Sequence, residues 1–417
     1  MKKLVEDLKQ LEDLIIRCMK CGTCQAHCPL YKKDLFEGSV ARGKISLLES
    51  IYEGKIENVE TVLKYLDYCI LCGRCETNCP SGVKTVEIFL KGKSILREVK
   101  DLPVYQKVLL EILLGKPELM SRFAPLFHMG FKLGTKKVKD DIYKPIFKGI
   151  GERFTKGIKK RFFTGEYGGE NRAENEKMKV IFYPGCAINM IYFEWGEKIV
   201  KLLNKLGVTV IVPEVNYCCG IPAATMGKQE MMKALLEKNY EYFEKYDTEY
   251  VITACPTCNH SLADLGENLG LEVPDKKFMD ILIFLDKVLD IRLSSITDKK
   301  VTLHIPCHYD KDFVDDMTEY VASISSDFVS LENQSCCGFG GTFNLKNYDK
   351  SVVFSVDKAK EVESKEIEIL FTPCPGCAIN LTDGVMHVNA NCKVLHPVEV
   401  IYEVIAEDVS KDQAKKN

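Results

Sequence analysis

The C-terminal half of the chain alternates short apolar runs with amphipathic stretches. Val180-Ile181-Phe182-Tyr183, Val208 to Val212 and Tyr250-Val251-Ile252-Thr253 read as strands. The first of them is wholly apolar. Between them, Ile199, Val200, Leu203 and Leu206 share one helical face that Gly207 closes, and residues 229–245 read as a second helix. The rhythm then repeats, with a strand from Val301 to Ile305, a helix, another helix through Ala359 and a strand from Glu368 to Thr372. Phe278–Leu289 and Val394–Ile405 correspond as apolar, helix-forming segments. The N-terminal part is helical instead. Leu4, Leu8, Leu11, Leu14 and Ile15 lie at helical spacing, and helices are expected from Val40 through Leu47 and from Val59 through Leu66. In the middle, Val104, Val108, Leu109, Ile112 and Leu113 suggest amphipathic helices. The apolar stripe Phe123–Met129 is expected to be core or an interdomain contact in preference to a membrane contact. Gly165 to Asn171 reads as a linker.

This pattern predicts an α+β or α/β protein: a helical N-terminal domain followed by a duplicated α/β domain. The boundaries expected are 1–100, a helical connector and linker over 101–178, repeats over 179–292 and 299–405, and a charged tail over 406–417. The net charge of −3 gives no footprint for nucleic acid. The N-terminus lacks the apolar core of a signal peptide, and no apolar run reaches transmembrane length. Nineteen cysteines without an export signal point to thiols kept reduced in the cytoplasm, with membrane contact only through a partner.

The cysteines carry the chemistry. Cys186, Cys218-Cys219-Gly220 and Cys255-Pro256-Thr257-Cys258 recur as Cys307, Cys336-Cys337-Gly338 and Cys374-Pro375-Gly376-Cys377, at a constant offset of 118 to 121 residues. An offset that regular marks an internal duplication. Vicinal thiols make a strained disulfide, so five thiols on one loop system suit a soft metal better. The C-terminal ends of strands, where these cysteines fall, are also where open α/β sheets place ligands. Upstream, Cys18-x₂-Cys21-x₂-Cys24-x₃-Cys28-Pro29 and Cys69-x₂-Cys72-x₂-Cys75-x₃-Cys79-Pro80 are bacterial ferredoxin runs. In that motif three cysteines hold one cubane [4Fe–4S] cluster and the fourth crosses to the other. The expected sets are therefore Cys18, Cys21, Cys24 and Cys79 for one cluster, and Cys69, Cys72, Cys75 and Cys28 for the other. Paired zinc sites would not use the third C-x₂-C step or the C-x₃-C-P ending. In the repeats, zinc, a four-ligand cubane or a cluster of altered shape all remain open. Cys392 lies outside every motif and reads as a small buried hydrophobe. His308, next to Cys307, is the candidate proton donor or ligand.

The double pattern Cys, Cys-Cys-Gly, Cys-x₂-Cys after a two-cluster module resembles the cysteine-rich-domain iron–sulfur oxidoreductases. These include the iron–sulfur subunits of glycolate and lactate oxidases and the catalytic subunits of heterodisulfide reductases. That resemblance implies non-cubane [4Fe–4S] clusters held by Cys186, Cys218, Cys219, Cys255 and Cys258, and by Cys307, Cys336, Cys337, Cys374 and Cys377. Cys28-Pro29-Leu30-Tyr31, Ala41-Arg42-Gly43-Lys44-Ile45 and Cys79-Pro80-Ser81-Gly82-Val83 resemble the glycolate/lactate oxidase branch, whereas two fully populated repeats resemble a heterodisulfide reductase. No nicotinamide, flavin or nucleotide fingerprint is present. The expectation is an electron wire that accepts electrons from a FAD-containing 2-hydroxy acid dehydrogenase subunit and passes them to a downstream carrier. The alternative is a chain that itself cleaves a disulfide; a third is a redox-sensing or scaffold protein with zinc in the repeats.

Overall fold

The N-terminal apolar spacing folds into helices Lys2–Lys9 and Glu12–Ile15, interrupted at residues 10–11, followed by longer helices Ala41–Tyr52, Val59–Asp67 and Thr85–Val99. The computed structural model describes residues 2–146 and 152–414, with side chains described as far as residue 406. Leu4, Leu8, Leu11 and Ile15 pack with Ile45, Leu48, Val62, Leu66, Ile88, Phe89 and Leu96 into one apolar core. Fully burying each such side chain contributes roughly 1.5–3 kcal/mol. Asn58 starts the Val59–Asp67 helix by accepting from the Thr61 N–H through its side chain.

This region belongs to a unit made of Met1–Glu111, Gly220–Ala234 and Gly338–Ser351. The last two segments follow directly on the two vicinal cysteine pairs. Lys93 donates to the Thr225 carbonyl at 2.9 Å, and the Thr225 and Thr342 hydroxyls meet at 3.0 Å. Lys346 reaches Asp67 at 2.8 Å. Gly340, with φ of 54°, packs so tightly that a Cβ there would stand 2.9 Å from Ile70 Cγ2. A side chain at Gly340 would thus strain the backbone and push on the loop between Cys69 and Cys72.

The second unit comprises Ile112–Cys219, Leu235–Cys337 and Val352–Asn417. Helices Pro117–Arg122 and Ala124–Gly134 lead into a small antiparallel sheet of β1 (Thr135–Lys139), β2 (Ile142–Pro145) and β3 (Thr155–Lys156). The connector is therefore not helical throughout. Its apolar stripe is not core either: Ala124 is buried, but Leu126, Phe127 and Met129 are exposed. Among the described residues no helix is long and apolar enough to cross a membrane.

The first repeat builds a five-stranded sheet from β4 (Gly169–Asn171), β5 (Met178–Tyr183), β6 (Val208–Val212), β7 (Tyr250–Thr253) and β8 (Lys277–Asp280), in the order β4-β6-β5-β7-β8. All pairs are parallel except β4 with β6. The second repeat builds β9 (Thr297–Leu303), β10 (Ser325–Phe328), β11 (Ile369–Phe371) and β12 (Lys393–Leu395), in the all-parallel order β10-β9-β11-β12. The order β6-β5-β7-β8 is thus copied strand for strand, so the duplication extends from cysteine spacing to topology.

Three expectations are corrected here. The Gly165–Asn171 linker becomes a short helix, Thr164–Tyr167, and the edge strand β4, because the backbone of Gly169–Asn171 pairs with β6. Phe278–Leu289 and Val394–Ile405 each begin inside a short strand before turning helical; Asp280 ends β8 and His396 follows β12. The charged tail starts inside the last helix, Pro397–Ala414, and residues 415–417 lie outside the described residues.

Candidate metal centres

In each ferredoxin run the tight C-x₂-C loop depends on left-handed backbone. Lys20 and Gly22 have φ of 55° and 87°, and Leu71 and Gly73, at the matching positions, have 54° and 70°. Glycine takes this conformation freely, but Lys20 and Leu71 do so at a cost of about 1–3 kcal/mol each. Short helices Thr23–His27 and Arg74–Thr77 follow and pack against each other. Each fourth cysteine lies beyond the end of its helix, which carries it away from the first three.

The result is two cavities of about 30 Å³ each. Cys69, Cys72, Cys75 and Cys28 line one; Cys18, Cys21, Cys24 and Cys79 line the other, and Cys75 lines it too. The fold thus brings Cys28 near the second run and Cys79 near the first. Burial pushes the Cys75 thiol up to about 12, although it hydrogen-bonds Thr85 Oγ1 at 3.0 Å. A buried thiol so reluctant to ionise needs a neighbouring positive charge to become a thiolate, and iron held there would supply one.

In the repeats, Cys186 and Cys255 follow the C-terminal ends of β5 and β7, and Cys307 and Cys374 those of β9 and β11. Chains of sulfur contacts link Cys186 to Cys218, Cys218 to Cys219, Cys219 to Cys258 and Cys258 to Cys255. In the second repeat Cys337 Sγ lies 3.2 Å from Cys377 Sγ, too far for a disulfide, and Cys377 hydrogen-bonds Cys374. Hydrogen bonding to Cys337 and Cys374, then burial, holds Cys377 well above the ordinary thiol range. Contacts with Cys186 and Cys219, then burial, do the same for Cys218. So many buried sulfurs cannot all become anions together unless cations sit among them, and this donor set fits a polynuclear iron site.

The two sets also meet. Cys255 and Cys374, which occupy the same place in the two repeats, hydrogen-bond each other. His308 bonds Thr257 Oγ1 through Nδ1 at 3.0 Å and stacks on His260, ring centroids 5.7 Å apart. With Asp280, Tyr309 and Asn259 it lines a cavity of about 50 Å³. Burial raises the Asp280 carboxyl to about 7, even though it accepts from the Leu282 N–H at 2.9 Å. Cys392 is buried away from the motifs, and burial lifts its thiol to about 12.

Several supporting residues were not foreseen from sequence. Ser261 donates to the Cys219 carbonyl and Asn380 to the Cys337 carbonyl, both at 2.6 Å. They lie at equivalent positions, three residues after Cys258 and Cys377, and pin the second cysteine of each vicinal pair. Tyr183 and His304 also correspond, three residues before Cys186 and Cys307. Tyr183 donates to the Tyr217 carbonyl at 2.6 Å, while a nitrogen of buried His304 lies within 4.8 Å of the sulfurs of Cys337 and Cys377. The only signal for them in the sequence is this shared offset. Gly185, with φ of 66°, leaves room for Cys258 Sγ, which a Cβ would approach to 2.9 Å.

Comparison with known proteins identifies the domains. The pattern of the cysteine-rich domain named for its Cys-Cys-Gly signature (CCG) matches residues 180–263 and 301–382, and that of the 4Fe-4S dicluster domain matches residues 15–83. This chain carries two CCG cysteine-rich domains behind a 4Fe-4S dicluster domain. An uncharacterized iron-sulfur protein of Methanococcus maripaludis is 26% identical, covering 92% of this chain and 70% of that protein. The probable glycolate oxidase iron-sulfur subunit of Bacillus subtilis is 24% identical over 98% of this chain and 99% of its own. A component of the dihydromethanophenazine:CoB–CoM heterodisulfide reductase of Methanosarcina mazei is 26% identical over 94% of this chain and 93% of its own. Among solved structures, a hypothetical protein from Helicobacter pylori covers 88% of this chain and 76% of its own at 11% identity, with a TM-score of 0.40. The dicluster match implies two cubane clusters in the N-terminal domain.

Proposed function

We propose that this CCG protein is the iron–sulfur electron-transfer subunit of a multi-subunit oxidoreductase. In this reading its donor is a FAD-containing subunit that oxidises a 2-hydroxy acid such as glycolate or lactate. The observation that carries the reading is the series of four cysteine-lined sites, two in the ferredoxin-type domain and two in the CCG repeats that touch at Cys255 and Cys374. Bound clusters would supply one-electron steps; the chain's own contribution is to hold the sulfurs in place and exclude water. The similarity to glycolate oxidase iron–sulfur subunits supports this choice of partner.

Mixed with such a flavoprotein, glycolate or lactate is expected to bleach the visible absorption of the chain's clusters. The chain alone is expected to be inert toward either acid. Flavin co-purifying stoichiometrically with the isolated chain would contradict this division of labour. A second reading has its own support, since both repeats keep all five cysteines and equivalent members of the two sets are in contact. In that reading the CCG pair reduces a disulfide, RSSR + 2e⁻ + 2H⁺ giving two thiols. Reoxidation of the reduced chain by a disulfide, releasing two thiols per molecule consumed, would favour it over the first.

A further inference from the structure

The two ferredoxin-type cavities differ in the charge built into their walls. Lys44, on the Ala41–Tyr52 helix, lines the cavity of Cys28, Cys69, Cys72 and Cys75 and is 1% exposed. Its ammonium donates to the Gly38 carbonyl at 3.0 Å and to the Ser39 carbonyl. Cys28 Sγ also bonds the Ser39 carbonyl, at 3.6 Å, so ammonium and ligand sulfur share one acceptor.

The other cavity carries cations of a different kind. Lys20 pairs with Glu49 at 2.6 Å and Arg42 with Glu37 at 2.7 Å, and the Lys20 and Arg42 side chains keep 51% and 29% of their surface exposed. A carboxylate at salt-bridge distance cancels most of a cation's field, and solvent screens the remainder. The hydrogen bonds of Lys44 go to neutral carbonyls in a dry site, where a charge acts with little screening. Taking an ammonium out of water costs several kcal/mol unless a compensating anion is close. An anionic cluster on four thiolates would provide that compensation, and more strongly after gaining an electron.

We propose that Lys44 is a potential-setting residue that holds the Cys28/Cys69/Cys72/Cys75 cluster at a higher reduction potential than the Cys18/Cys21/Cys24/Cys79 cluster. This rests on the reading that both cysteine sets hold clusters. Lys44 makes electrons settle on the cluster whose Cys69–Cys72 loop packs against Gly340, just downstream of Cys337. The one-electron step concerned is [4Fe–4S]²⁺ + e⁻ giving [4Fe–4S]⁺, with dithionite as the reductant in the test.

The experiment is a redox titration of the full chain followed by electron paramagnetic resonance, with iron and sulfide counted in every sample. The two signals are assigned by their response to Cys72→Ser and Cys21→Ser. In the parent protein the signal changed by Cys72→Ser is expected to titrate at the higher potential. Lys44→Met is expected to weaken its reduction at least tenfold, about 59 mV for one electron, and to leave the other signal in place. Lys44→Arg should stay near the parent value. Full iron content with no shift, equal shifts in both signals, or a parent protein whose Cys21-linked signal titrates higher would overturn the proposal. The parent titration decides the matter even if Lys44→Met fails to assemble. Absence of iron from the parent would instead refute the cluster reading itself.

Discussion

Replacing Cys337 by serine is expected to remove one cluster's iron, about four atoms per chain, while both ferredoxin-type signals persist. Cys337 is buried at 2% exposure, sits 3.2 Å from Cys377, and is fixed through its carbonyl by Asn380. Serine is nearly isosteric but a poor ligand for soft metal, so the fold should survive while the site empties. Cys219→Ser is expected to do the same in the first repeat, whose carbonyl clamp is Ser261. Because Cys255 and Cys374 touch, emptying one site should also change the resonance of the other. Iron and sulfide analysis with low-temperature spectra checks all of this. An unchanged iron count, or zinc replacing the iron at unit stoichiometry, would mean that the repeats do not hold iron–sulfur clusters.

The second large effect concerns the crossing of ligands in the N-terminal domain. Cys28→Ser is expected to perturb the same signal as Cys72→Ser, and Cys79→Ser the same signal as Cys21→Ser. The cavity linings motivate this, since Cys28 faces the sulfurs of Cys69, Cys72 and Cys75 although it follows Cys24 in the chain. Each serine variant should lose or convert a single cluster and leave the other intact. If Cys28→Ser and Cys21→Ser altered the same signal, the ligands would not cross.

Much of this architecture is legible in the sequence because a polynuclear metal site fixes its ligand spacing locally. The x₂ steps of Cys18, Cys21 and Cys24, and the 118 to 121 offset between the repeats, can be read from the cysteine positions alone. Strands β5, β6 and β7 are equally plain, since both faces are covered and their side chains are almost all apolar. Strand β10, with the sequence Ser325-Ser326-Asp327-Phe328, is not visible, because an edge strand with two exposed residues carries no apolar pattern. Nor does spacing reveal that Gly220–Ala234 and Gly338–Ser351 join the N-terminal unit; that depends on single contacts such as Lys93 with Thr225 across more than a hundred residues. The burial of Lys44 shows only in the packing. The stripe at Leu126 to Met129 errs the other way, apolar in sequence yet exposed in the fold. Exposed apolar surface of this kind is common where another subunit docks.

The central claim is that this CCG protein holds four iron–sulfur clusters, two in the ferredoxin-type domain and two in the repeats. Anaerobic iron, sulfide and zinc analysis of the purified chain, combined with electron paramagnetic resonance of its reduced and oxidised forms, tests it directly. The account predicts about sixteen iron and sixteen sulfide per chain, from four clusters of four, with zinc negligible and with signals beyond those of the two cubanes. About eight iron together with one or two zinc, the count for two cubanes plus tetrahedral sites in the repeats, would contradict it.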